Sequence, residues 1–152
     1  MKKFYLLTLV TLSAIFFACD NNKTPNEPID PTPTVAAPSI EKTWLFENDG
    51  ALFCYSINAV AKDSLVFGSG GSLAAMLGCD YYYTNDLVWA IKSIEKTDDF
   101  SGKIITTDEK PLLYSELTDS TVTLQYQGAA VVSKCKAAKG DEQFLNLSGL
   151  GF

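Results

Sequence analysis

The 152-residue chain has no histidine and no arginine. The first absence removes the usual base for a serine or cysteine nucleophile and the commonest nitrogen ligand for zinc. The second leaves 12 lysines to face 18 acids, so no concentrated positive surface exists for nucleic acid or anionic lipid. Without Lys2 and Lys3 the balance is 10 − 18 = −8. After residue 40 there is no extended run of apolar residues at helical spacing, and no internal repeat. No metal, cofactor or enzymatic activity is expected. The acid pair Asp98 and Asp99 lies in a "TDDFSG" turn that solvated acids explain.

The glycine-rich stretch 65–78, "LVFGSGGSLAAMLG", needs testing against these absences. A dinucleotide loop aligned on Gly68 and Gly70 needs a third glycine at 73, where Leu73 stands. A phosphate loop needs a Lys-Ser/Thr pair, which is missing. "GGSLA" places Ser72 where a nucleophile elbow would have it, but no histidine can take its proton. What is left is structural: a strand at Leu65–Phe67, a glycine turn, then a strand or short lid over Leu73–Leu77.

The chain opens with Lys2 and Lys3, an uncharged apolar run from Phe4 to Ala18, and then Cys19 before polar "DNN". The run is too short to span a bilayer comfortably. "FFAC" resembles the lipobox of bacterial lipoproteins, which implies cleavage before Cys19 and lipidation of its thiol. Five of the six prolines fall in residues 20–40. Such a segment stays extended at roughly 3 Å per residue and reads as a tether. The expected organisation is a signal peptide over 1–18, a lipidated Cys19 with its tether over 19–40, and one domain over 41–152. The resemblance places it in a bacterial cell envelope, on the periplasmic or surface face of the outer membrane.

Turn signals recur at short intervals from "NDG" at 48–50 to "QG" at 127–128. Between them lie runs of 5–10 residues rich in Val, Ile, Thr, Tyr and Phe. This spacing predicts an all-β antiparallel barrel, with a β-sandwich as the alternative. Alternation turns Val122, Leu124 and Tyr126 inward, and likewise Leu87, Trp89, Ile91 and Ser93. Val131, Ser133 and Cys135 form a third inward set. In "LFCYSI" the bulky set Phe53, Tyr55 and Ile57 faces in and Cys54 out. Residues 141–152 are expected to supply a closing strand.

Four stretches carry a further likeness: "EKTWLFE", "DSLVFGSGG", the pair Cys54 and Cys79 around it, and "LLYSELTDSTVTLQY". Together they resemble the lipocalin-like, calycin-type barrels of bacterial surface lipoproteins, over about residues 40–136. The glycine that such domains carry before the first-strand tryptophan is absent at Glu41/Lys42. The resemblance implies an up-and-down β-barrel with Trp44 plugging its base and a Cys54–Cys79 disulfide. Strand parity alone favours Cys79–Cys135 instead, unless a bulge or a turn near Gly78 resets the phase. The implied fold holds a small apolar ligand in its mouth or is filled by side chains. Tyr81, Tyr83 and Trp89 are the inward aromatic candidates, and aromatic faces beside Asn85 and Asp86 also suit a glycan. Two functions follow as expectations. One is a membrane-anchored, non-enzymatic binding module. The other is a structural or interaction lipoprotein, a complex subunit or inhibitor with a filled barrel.

Overall fold

The computed structural model describes residues 36–108 and 110–150. The leader, Cys19 and most of the proline tether lie outside them. The strands are β1 (Thr43–Asn48), β2 (Ala51–Ile57), β3 (Ser64–Ser69), β4 (Tyr81–Tyr83) and β5 (Val88–Lys96). They continue with β6 (Gly102–Thr106), β7 (Leu112–Ser115), β8 (Thr121–Tyr126), β9 (Ser133–Ala137) and β10 (Phe144–Asn146). One short helix, α1 (Ser72–Met76), follows the Gly70–Gly71 turn. The stretch after the glycines is therefore helical, ahead of the next strand.

Eight strands close into an antiparallel barrel in the order β1-β2-β3-β5-β6-β7-β8-β9, with β9 returning to β1. This is the expected up-and-down architecture. Each neighbour follows its predecessor in sequence, apart from the excursion between β3 and β5. The β1–β2 turn is the shortest: Asp49 and Gly50 both take positive φ, as a two-residue hairpin following the strand twist demands.

Side-chain parity fills the interior. Trp44, Tyr55, Ile57, Leu65, Ile104, Leu112, Tyr114, Val122, Leu124 and Cys135 form one buried cluster. The register sets Trp44 opposite Tyr55, and Ile57 opposite Leu65, so the apolar sets of successive strands share a face. Fully burying each large side chain contributes about 1.5–3 kcal/mol. Two inward expectations need correction. The β5–β6 register shifts between Ile91 and Ser93, and it is Ile94, opposite Ile104, that packs on the core instead of Ser93. A bulge inserts one residue and reverses the alternation beyond it. Val131 lies outside β9 and is exposed.

One end of the barrel, the foot, is sealed. Trp44 is fully buried and its indole Nε1 donates to the Ile40 carbonyl at 2.9 Å. Ile40 and Leu117 pack into the same cluster. The foot turns are tied together: the Leu117 amide donates to Phe100 O, and Lys42 Nζ donates to Asp119 O. Trp44 thus stands where a base plug would.

The tail corrects another expectation. The closing strand is β9, not a segment of 141–152. Phe144–Asn146 instead runs parallel to β4, which pairs with the end of β3 at Ser69↔Tyr82. Together with α1 they make a strap over the outer face of β2 and β3. Under it lie Cys54 and Gly68, buried together with Ala74 and Tyr81 of the strap itself. Gly68 is required here, because a Cβ would come within 2.7 Å of Cys54 Sγ.

Candidate functional site at the barrel mouth

The end opposite the foot is lined by aromatic rings. Phe46 of β1 stacks on Phe53 and Tyr55 of β2 at 5.5 and 5.2 Å between centroids. Phe67 of β3 packs on Phe53 at 5.5 Å and edge-on to Tyr55 at 5.2 Å. Across the barrel, Tyr126 meets Tyr55 edge-on at 6.3 Å. Phe46, Phe53, Phe67, Trp89 and Tyr126 are only half-buried, in contrast to the tryptophan at the foot. Beside this wall, an open recess of about 410 Å³ is bounded by Trp89, Asp108, Lys110, Tyr126 and the 127–129 turn.

The polar groups are few. Thr106 Oγ1 donates a short hydrogen bond to Asp108 Oδ1, which also accepts from the Lys110 amide. Burial pushes the Tyr55 phenol up to about 12, with Cys135 adding to the effect. Burial also raises Tyr126, followed by the charges of Tyr55 and Asp108. Both phenols are therefore protonated donors at neutral pH. This arrangement can stack a flat ring and offer it hydrogen bonds. Among the described residues, no group of three His, Cys, Asp or Glu side chains is placed to hold a metal ion.

The three aromatic candidates named from sequence do not converge. Trp89 is at the mouth, opposite Leu65 on the interior face. Tyr81 and Tyr83 are on the outer face. Tyr81 stacks on Phe144 at 5.7 Å and lies over Gly68, while Tyr83 borders an outer groove with Phe144 and Thr43. The reason is local: Gly78 takes φ +73 and restarts the phase, and it is Tyr82 that pairs with inward Ser69. Phe46, Phe53, Phe67 and Tyr126 were visible as period-two positions. The signal that unites them is that each sits at the same end of its strand, three on the adjacent β1, β2 and β3 and Tyr126 across from them on β8.

The expected Cys54–Cys79 bridge is not formed in this structure; Cys54, Cys79 and Cys135 are all free thiols. Cys54 faces outward under the strap, as parity required, opposite Gly68 in the β2–β3 register. Cys79 turns its thiol to the Ala74 carbonyl at 3.5 Å. Cys135 faces the interior, its thiol against Ser133 O at 3.5 Å, so the Cys79–Cys135 alternative spans opposite faces of the wall. Burial pushes Cys54 and Cys135 up to about 12, which makes them inert as nucleophiles. Ser72 is exposed at the start of α1.

Comparison with protein-family models, with curated proteins and with solved structures finds no match. Closed eight-stranded antiparallel barrel is the class that the geometry itself defines.

Proposed function

We propose that this chain is a lipid-anchored protein of a bacterial cell envelope whose lipocalin-like barrel binds a small apolar or glycan ligand at its mouth without chemistry. The half-buried aromatic wall beside the Trp89–Tyr126 recess carries this reading. Half-exposed rings at one end of an otherwise sealed barrel are apolar surface that burial of a ligand would stabilise. The meander order of the barrel supports the lipocalin-like label. The lipobox-like ending at Cys19 and the proline tether support the anchor. Native mass spectrometry of protein extracted from its own membrane tests the ligand: a retained mass lost on Trp89→Ala supports it, and bare protein under ligand-sparing conditions overturns it. Cys19→Ala tests the anchor. Release into the soluble fraction is expected, and unchanged membrane retention contradicts it.

The interaction reading draws on one observation, the exposure of Leu73 and Met76 on α1, Met76 at 84%. If the chain docks through that helix, a Leu73→Ser/Met76→Ser variant loses a co-purifying partner while mouth binding is unchanged.

A further inference from the structure

Among the described residues seven large apolar side chains stand exposed, and five of them belong to one end of the barrel. Leu52 is on β2 beside Phe53, Leu73 and Met76 share one side of α1 at i and i+3, and Val131 and Val132 end the β8–β9 loop. Each of these segments adjoins the mouth. α1 follows β3 past Phe67, and the β8–β9 loop leaves Tyr126 to border the recess at 127–129. The strands β3, β2, β1 and β9 are consecutive in the barrel, so the three segments lie side by side along one arc of the rim. The Gly70 amide donates to the Leu52 carbonyl at 2.8 Å, which ties the turn before α1 to β2. The remaining two, Phe100 and Leu150, are in a foot turn and in the tail.

The arc is also poor in charge. Residues 50–57, 64–79 and 127–133 hold no charged side chain, and the acids beside them are Glu47 and Asp49. Asp108 and Lys110, the charged residues of the recess, are on the β6–β7 turn instead. An uncharged apolar arc suits an interface whose attraction is itself apolar. The chain outside the described residues says what covers it. Cys19, the lipid site of the reading above, is joined to Ile40 at the foot by the 20 residues 20–39. At roughly 3 Å per residue these reach about 60 Å, against about 20 Å for the six residues of β1. A tether of that reach holds the barrel near the bilayer without fixing which end meets it. It also keeps the local concentration of lipid high, so that a weak apolar contact suffices. The net charge of −6 disfavours an anionic lipid surface. We propose that the arc of Leu52, Leu73, Met76, Val131 and Val132 docks on the zwitterionic lipid surface of the membrane that carries the anchor, and so turns the mouth toward the bilayer. This rests on the anchor reading above and adds an orientation to it.

Hydroxyl-radical footprinting read by mass spectrometry tests it, on full protein extracted from its own membrane and inserted into preformed phosphatidylcholine vesicles. The reference is the released Cys19→Ala protein in buffer. Oxidation of Met76 and Leu73 is expected to fall severalfold on the vesicles, while Phe100 at the foot reacts equally in both. In a Met76→Asp/Val131→Asp variant that stays anchored, the protection of Leu73 should be lost. Both positions are exposed, so the variant should melt with wild type, which verifies the fold. Equal reactivity of Met76 in both preparations, protection of Phe100 with Met76 open, or Leu73 protection that survives the variant overturns the docking and leaves the anchor intact. Protection of Met76 in the Cys19→Ala protein that rises with its concentration assigns the arc to a second copy of the chain and overturns the docking too. Wild-type protein that does not stay with the vesicles overturns the anchor reading and this one together.

Discussion

The barrel has two tryptophans, one at each end, and they live in opposite environments. Trp44 at the foot is 0% exposed, with its indole nitrogen bonded to Ile40 and the foot turns laced above it. Trp89 at the mouth is half-buried beside a recess of about 410 Å³. The same eight strands supply both, so the difference comes from what caps them. At the foot, Ile40 and Leu117 fold inward from outside the strands. At the mouth the phenylalanine rings of β1, β2 and β3 pack on one another and stay half-buried among the described residues. The foot buries its tryptophan completely; the mouth leaves aromatic surface partly uncovered.

Substitutions at the two ends should therefore diverge. Trp44→Ala empties the foot and is expected to cost about 3–5 kcal/mol in urea unfolding. Trp89→Ala removes a half-buried ring and should cost less than about 2 kcal/mol, with loss of ligand. Equal costs would erase the distinction between the ends. Gly68→Ala strikes neither end but the strap, where the new methyl meets Cys54 Sγ. About 1–3 kcal/mol is expected from overpacking, with the mouth still able to bind.

pH sharpens the same picture with a smaller effect near neutrality. Cys54, Cys135 and Tyr55 are all held neutral by burial, each pushed up to about 12. A raised acid pKa means that the unfolded chain ionises first. The contribution is thus complete below about pH 9, where the unfolded thiols are still protonated, and is lost as pH climbs from 9 toward 12. Melting temperature should be flat from pH 7 to 8.5 and fall beyond 9. Cys135→Ala should make the fall above pH 9 shallower, since Cys54 alone of the two buried thiols then still titrates there. A slope above pH 9 unchanged by the substitution contradicts the assignment.

How much of this was legible depends on where alternation ran without interruption. "STVTLQYQ" alternates cleanly, and Val122, Leu124 and Tyr126 all face in. The Phe53, Tyr55 and Ile57 set is equally clear, since bulky and small residues alternate through β2. Alternation fails where the backbone inserts a residue or a turn. The β5 bulge exchanged Ser93 for Ile94, and positive φ at Gly78 sent Tyr81 and Tyr83 outside. The tail was illegible for a different reason: β10 is only three residues long, and its partner β4 is a parallel neighbour distant in sequence. No local pattern encodes that pairing. The mouth was half-legible, through Trp89 alone, because strand ends align only after register is known.

The most direct test uses the two tryptophans as reporters of their own ends. In a Trp44→Phe variant only Trp89 fluoresces, and in Trp89→Phe only Trp44. Titrating each with 1-tetralone, a small apolar ring compound that absorbs where indole emits little, should saturably quench Trp89 emission and leave Trp44 emission unchanged, apart from the inner-filter loss shared by both. Saturable quenching of Trp44, or of neither residue, would contradict a sealed foot and a binding mouth.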